Sequence, residues 1–338
     1  MPPEFQTHVL NLPASAAGLR LDQALAAALP QYSRARLQRW IREGAVQLGG
    51  KAARVRDRVE GGEQIVVEAR FEADHSVAAE ALPLDIVHQD HDLLVLNKPA
   101  GLVVHPGAGN RAHTLQNALL GHDPALAQVA RAGLVHRLDK ETSGLLIVAR
   151  TPEAHTRLVA QLAAREIGRE YLALVAGLPT GGARIDQPIG RHRSLRTRMA
   201  VRGDGREAVT NYRIEERFRA HTLLRVRLET GRTHQIRVHL AHVGLPLVGD
   251  PVYGGRRRLV AGGAAALNRQ LQAFQRQALH AQRLTLAHPR TGRELAFEAP
   301  LPADFQGLLA ALREDARETR SAARAPVRAA RRGRGRAR

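Results

Sequence analysis

Residues 135–144 read VHRLDKETSG, with one carboxylate, Asp139, set between Arg137 and Lys140 and the small residues Thr142, Ser143 and Gly144 close behind. Side chains two apart on an extended strand share a face, so Arg137 and Asp139 can stand side by side. A cation beside a carboxylate lowers its pKa by about 1–3 units and keeps it charged, ready as nucleophile or base. The small residues let backbone or substrate approach closely. Read alone, the stretch equally describes a turn built on Asp with solvated charges around it. What decides between the two is the rest of the chain.

Outward from the loop, the pattern is of many short strands. Residues 144–150 (GLLIVAR) are an apolar strand directly after it, and residues 92–99 (DLLVLNKP) a buried strand stopped by Pro99. Residues 101–110 (GLVVHPGAGN) predict a second strand and a Gly-rich loop, before a helix at 114–122. Thr151 and Pro152 mark the N-cap and first position of a helix over 152–165. Strands follow at 169–177, 211–218 and 222–229; in the last, Leu224, Val226 and Leu228 face one way and Arg225, Arg227 and Glu229 the other. Residues 230–244 (TGRTHQIRVHLAHVG) turn at Gly231 into a helix, and strands at 278–289 and 293–300 close the series. Strands with few, scattered helices predict an α+β domain on a mixed, mostly antiparallel central sheet over 84–315.

The N-terminal part has a different texture. Residues 1–17 read as an extension, 18–72 as a small separate module, and 73–83 as a polar linker. Leu19, Leu21, Ala24, Leu25 and Leu29 form a helical stripe ended at Pro30. Ser33 is the expected N-cap of a second helix closing at Gly44, with Leu37, Trp40 and Ile41 on one face and Arg34, Arg36, Arg39 and Arg42 over the rest. Four Arg on one short helix suit phosphate oxygens, which the guanidinium fork matches.

Composition narrows the class. Lys plus Arg number 51 against 32 Asp plus Glu, a net charge of +19, which points to a polyanionic partner. The segment 316–338 holds nine Arg and one Glu with almost no large apolar residue, and is expected to be a disordered basic tail. There is no cysteine, which removes disulfides, thiolate metal sites and a Cys nucleophile, and suits a reducing cytoplasm. No apolar run reaches the roughly 20 residues of a membrane span, and no basic-then-apolar leader opens the chain. Motifs for a serine nucleophile elbow, a phosphate loop and a dinucleotide loop are missing. His234, His239 and His242 lack a carboxylate or Cys beside them and have Arg237 among them, so no metal site is expected there. The basic stretch Arg191, Arg193, Arg196 and Arg198 is a second candidate phosphate contact.

Five blocks in order, NKPAGLVVHPGAGN, HRLDKETSG, REYLALVAG, TGRTHQIRVHLAHVGLPLVGDPVYGG and RQALHAQRLTLAHP, resemble those of the RluA/RluD family of RNA pseudouridine synthases. Residues 20–51 resemble the αL-type RNA-binding module shared by a small-subunit ribosomal protein and several RNA-modifying enzymes. The resemblance spans about residues 18–312 and implies the pseudouridine synthase fold. It also implies conversion of uridine to pseudouridine without cofactor or metal, in large-subunit (23S) ribosomal RNA and in its helix 69, by a cytoplasmic monomer without membrane attachment. Same chemistry on another ribosomal site or on tRNA, or a non-catalytic ribosome-assembly protein, are the alternatives. The resemblance places the catalytic aspartate on Asp139, leaving open whether it attacks sugar or base or removes a ribose proton. It places a stacking and proton-moving tyrosine on Tyr171, the aspartate's basic partner on Arg237, a wedge that extrudes the target base on Arg137, and an apolar lid on Leu284.

Overall fold

The computed structural model describes residues 4–29, 32, 34–71, 77–107, 109–255 and 259–324. The expected N-cap Ser33, linker residues 73–76 and the chain beyond 324 fall outside these. In chain order the elements of the N-terminal module are β1 (Glu4–Asn11), α1 (Leu21–Ala28), α2 (Arg34–Arg42), β2 (Val46–Leu48), β3 (Lys51–Ala52) and β4 (Gln64–Phe71). Then come β5 (Ile86–Gln89), β6 (Leu93–Lys98), α3 (Leu115–His122), β7 (Ser143–Ala149), α4 (Pro152–Ala163), β8 (Gly168–Ala176), β9 (Ala183–Asp186), β10 (Ile189–Arg191) and β11 (Met199–Val201). The last are β12 (Val209–Arg217), β13 (His221–Leu228), α5 (Gln235–His242), α6 (Ala265–Ala273), β14 (Leu279–Ala287), β15 (Glu294–Glu298) and α7 (Ala303–Arg324). The architecture is α+β, with a mixed, largely antiparallel sheet and a small N-terminal module, as the sequence predicts.

The chain divides into two compact units. The first is Met1–Lys140, Gly144–Gly168 and Arg283–Ala299; the second is Glu141–Ser143, Arg169–Gln282 and Pro300–Arg338.

In the first unit, the N-terminal module is a sheet in the order β1-β4-β2-β3 under α1 and α2. Residues expected to be an extension supply β1, paired antiparallel with β4 from Glu4↔Phe71 to Asn11↔Gln64. Its alternation is weak because this strand leaves Val9 on the surface. Leu37, Trp40 and Ile41 are buried against Leu21, Leu25, Val46, Ile65 and Val67 as the helical stripe predicts, each large side chain stabilising by about 1.5–3 kcal/mol. Leu19, placed on the stripe by its spacing, is instead exposed.

The rest of the first unit runs β5-β6-β7-β14 with β15 on β14. β7 is buried along its whole length and β6 nearly so, as expected for central strands covered on both faces. Leu93, Val95, Leu145, Ile147, Leu158, Ile167, Leu284 and Leu286 form its core. Thr151 caps α4 as predicted, accepting from Ala154 N–H at 3.1 Å with Pro152 behind it. The strand expected at 101–104 does not form. Its carbonyls serve elsewhere: Val103 and Val104 accept from the first turn of α3, and Leu102 accepts from Lys98.

In the second unit the order is β14-β8-β13-β12-β9, with β10 and β11 as a separate hairpin. Its core gathers Leu172, Leu174, Phe218, Leu223, Phe274, Phe305, Leu308 and Leu312. The last three lie on α7, which continues to Arg324. The tail expected from 316 is therefore helical for its first nine residues: Phe305, Leu308, Leu309, Leu312 and Asp315 repeat at helical spacing and are buried, carrying the helix past the predicted boundary.

Candidate functional site

The loop 135–144 is entered through a sharp left-handed turn. Arg131, Ala132 and Gly133 all have positive φ, of 55°, 51° and 79°. A Cβ at Gly133 would lie 1.9 Å from the Ala149 carbonyl oxygen, so only glycine fits against β7. His136 Nε2 then accepts the N–H of Ile147 at 3.0 Å, tying the loop to β7. Leu138 is buried, Asp139 half-buried, and Arg137 and Lys140 exposed. The Lys140 carbonyl is held by Lys98 Nζ at 3.0 Å and by Gly101 N–H at 2.9 Å.

Lys98 went unnoticed in the sequence. It is 1% exposed, and its ammonium donates to the carbonyls of Pro99 at 2.7 Å, Leu102 at 3.0 Å and Lys140. The HPGAGN block also comes to this loop. Burial, with the charges of Arg131 and Arg137, holds the His105 imidazole below its ordinary range despite its hydrogen bond to Gln116.

In the second unit, Tyr171 lies on β8, 5% exposed and opposite Val226 of β13. Arg237 is on α5, buried, with Nε 2.7 Å from Asp250 Oδ2 and Nη2 2.9 Å from Asp250 Oδ1. Burial raises the Asp250 pKa, but Arg237 and the N–H groups of Val252 and Tyr253 more than offset this and hold it below the usual range. The Tyr253 ring sits 5.0 Å from the guanidinium carbon of Arg237. Tyr253 Oη accepts from Met199 N–H at 2.8 Å and shares a hydrogen bond with His234 Nδ1 at 2.9 Å. His234 stands at the N-cap of α5 with φ of 57°, so the turn before Arg237 is pinned through a phenol. Asp250 and Tyr253 belong to the GDPVYGG block, which had been noticed only as a resemblance; no spacing rule links them to Arg237.

Other expected residues fall in varied settings. Leu284 is packed in the core of the first unit with Leu93, Val95 and Ile147. Its strand face is the apolar one. Arg34 is engaged by the buried Asp22, with Nη2 at 2.6 Å and Nε at 2.9 Å from Oδ2, so its fork serves the module's interior. Arg39 pairs with Glu43 at 2.7 Å on the surface, Arg42 is exposed, and Arg36 is half-buried. On the β10–β11 hairpin Arg191, Arg193, Arg196 and Arg198 are all exposed. Arg191 donates to the Arg196 carbonyl at 2.9 Å, which folds the tip, and a concave surface beside it is lined by His192, Arg193, Arg202 and Asp204.

Two histidine groups test for metal chemistry. His239 Nε2 donates to the Gln187 carbonyl and Nδ1 accepts from Thr210 Oγ1, both at 2.9 Å, so neither nitrogen is offered to a cation. Asp90, Asp92 and His288 come within ligand distance of one another. But His288 Nδ1 accepts from the N–H groups of Arg290 and Thr291, so Nε2 carries the ring proton and donates to Asp90 at 3.1 Å. Arg290 Nε lies 2.7 Å from Asp92 Oδ2, out of line for a hydrogen bond but close enough to neutralise it. That chemistry is an ion-pair network.

Comparison with known proteins agrees with the two-part organisation. Residues 92–242 match the family model described as RNA pseudouridylate synthase, and residues 19–65 match the S4 domain. The chain is 53% identical over 313 residues to the ribosomal large subunit pseudouridine synthase D of Xanthomonas campestris pv. campestris, covering 93% of this chain and 95% of the relative. It is 54% identical to the protein of the same name from Pseudomonas aeruginosa, covering 90% and 95%. Among solved structures, human RNA pseudouridylate synthase domain containing 4 superposes with a TM-score of 0.54 at 28% identity, covering 68% of this chain and 93% of that one. No helix among the described residues is long and apolar enough to cross a membrane.

Proposed function

Since the chain belongs to the RNA pseudouridine synthases that carry an S4 domain, we propose that it isomerises uridine to pseudouridine in large-subunit ribosomal RNA, at helix 69, as a cytoplasmic monomer. The observation that carries this reading is the pinned loop of Asp139 in a chain with the S4 module and 53% identity to a large-subunit enzyme. The reaction breaks the bond from ribose C1′ to the ring nitrogen, turns the base, and joins C1′ to a ring carbon. That carbon then loses a proton and the ring nitrogen released from ribose gains one, so no atom is gained or lost overall.

Asp139 is the residue assigned to the reacting sugar or base. It is half-buried on a loop tied at His136 and Lys140, which supplies the fixed placement that a nucleophile or base needs. Tyr171 is assigned to stacking on the uracil and moving the carbon-bound proton. Arg237 is assigned as the basic partner of Asp139; its Nε and Nη2 serve Asp250. A stacked uridine hides its glycosidic bond, so the base must be extruded. The exposed Arg137 is suited to that wedge. The S4 module and the β10–β11 hairpin hold phosphates, with Arg36, Arg39 and Arg42 serving the module once Arg34 is given to Asp22.

The test is a map of pseudouridines across total RNA from cells with and without this protein. Loss of pseudouridine confined to helix 69 of the large-subunit RNA is expected. A map in which helix 69 is unchanged overturns the substrate assignment.

A further inference from the structure

Three successive residues after Asp139 and Lys140 are each gripped by one short segment. Arg276 Nη1 donates to the Glu141 carbonyl at 3.3 Å. Gln277 Nε2 donates to Thr142 Oγ1 at 3.2 Å, and Ser143 Oγ bonds His280 Nδ1 at 2.9 Å. Thr142, Ser143, Gln277 and His280 are all buried, so these bonds are made away from water, where an unmet partner is costly. Arg276 has an anchor of its own. Its Nε and Nη2 meet Asp304 Oδ2 and Oδ1 at 2.7 and 2.8 Å, a two-pronged pair. Asp304 lies in the first turn of α7, beside Phe305, which is fully buried in the core of the second unit.

We infer that Arg276 is a positioning residue for the loop that carries Asp139, with Asp304 as its anchor; this rests on the reading of Asp139 given above. The physical reason is leverage on a short chain. Lys98 and Gly101 fix the Lys140 carbonyl, and Arg276 fixes the next carbonyl, Glu141. With Leu138 buried on the other side, the backbone from 138 to 141 has no slack, and that backbone sets where the Asp139 carboxylate points. Catalytic groups tolerate displacements of only about 0.5 Å, and a shift near 1 Å costs on the order of 100-fold. Asp304 acts through Arg276. It holds the guanidinium in one orientation, and a fork held at two prongs presents its third nitrogen in a fixed direction. The Asp304 side chain is 48% exposed, so replacing it leaves the core intact and tests orientation separately from packing.

The experiment is single-turnover pseudouridine formation on a helix 69 stem-loop transcript with enzyme in excess, for wild type, Asp304→Asn, Arg276→Gln, Arg276→Lys and Asp139→Asn. With enzyme saturating, a misfolded fraction lowers the apparent affinity but not the limiting rate. We expect the limiting rate to fall about 10- to 100-fold in Asp304→Asn and Arg276→Gln, with half-saturation within about twofold of wild type. Arg276→Lys, which keeps the charge and loses the fork, should lie between. Wild-type limiting rates in Asp304→Asn, with Asp139→Asn inactive, overturn the proposal, and this variant decides the matter if Arg276→Gln does not fold. An active Asp139→Asn would instead remove the reading of Asp139 itself, whatever the other variants do.

Discussion

Arg237 and Asp250 form a buried two-pronged ion pair, at 2.7 and 2.9 Å, with the Tyr253 ring beside the guanidinium. Removing one member of such a pair leaves the other charge buried without compensation, a loss of about 3–5 kcal/mol. Asp250→Asn is expected to destabilise the fold by that amount in urea titrations at pH 7. The pair also has a pH signature. Because the folded-state pKa of Asp250 is depressed, the unfolded chain binds more protons in acid. Its contribution is fully present above the ordinary carboxylate pKa and is lost as pH falls through the folded value. Asp250→Asn should therefore flatten the acid limb of the stability curve; an unaltered acid limb would show that the pair does not contribute there.

Asp139→Asn keeps the shape of the side chain and removes its charge. Pseudouridine formation on ribosomal transcript should fall by at least about 1000-fold, the scale of losing a nucleophile or base. RNA affinity in filter binding should stay within about twofold, since binding leans on phosphate contacts elsewhere. Full activity in this variant excludes the mechanism.

How far that site was legible depended on the residue. Asp139 was raised as a candidate by ten contiguous residues, because the flanking cations and the small residues after it are all local, but those residues describe a turn as well and the order of the blocks favoured the candidate. Tyr171 and Arg237 had no local mark, a strand aromatic and a helical Arg being ordinary, and only the order of the blocks pointed to them. Asp250 is 13 residues from Arg237 and reads as part of a Gly-Pro turn. Leu284 sits within a matching block, and its alternation with Leu286 fits the burial of both in one core. For the fold, periodicity located β6, β7, α4 and β13 because each buries a whole face or more. It missed β1, an edge strand with an exposed valine, and it missed α7, whose last residues are rich in arginine and were read as the start of a tail.

Lys98 is expected to matter more than a strand-end lysine ordinarily does. Its three ammonium protons meet three carbonyls, two of them in the turn after β6 and one in the Asp139 loop. Lys98→Met fills the space but takes the ammonium donor from all three carbonyls, leaving Lys140 with only its Gly101 N–H, which should cost roughly 2–5 kcal/mol. The measurement is thermal and urea melting of the variant; a loss under about 0.5 kcal/mol, the scale of a surface substitution, would rule the cage out as a determinant of stability.

His155 and His221 predict a second pH effect, in the opposite residue class. Burial pushes both imidazoles down to about 4, and Nδ1 of each has no hydrogen-bond partner. Between pH 6.5 and 4 the unfolded chain binds protons at these sites and the folded chain does not, so stability falls as pH is lowered through that window. By linkage each site contributes about 2 kcal/mol of that loss at pH 5. His155→Leu with His221→Leu should be less sensitive to the change from pH 7 to 5 than wild type, by about 4 kcal/mol in denaturant titrations. Equal slopes in the two proteins would contradict the assignment.

The last prediction concerns the β10–β11 hairpin. Arg193, Arg196 and Arg198 are exposed around a tip that also presents Leu195, at 49% exposure. The tip is shaped without them: Arg191 closes it through the Arg196 carbonyl, and His192 Nδ1 accepts from the N–H groups of Ser194 and Leu195. Their side chains can thus be replaced without unfolding the turn. If each neutralises one phosphate, counterion release sets the slope of log affinity against log salt, at about 0.7 per contact to single-stranded RNA and 0.9 to a duplex. The triple variant to Ala should bind RNA more weakly at low salt and lose about 2–3 from that slope, with melting unchanged. Such a loss should be the same on RNAs of different sequence, because phosphates carry no sequence information. A slope equal to that of wild type would show that the hairpin does not reach the RNA, and would leave the S4 module as the principal site of phosphate contact.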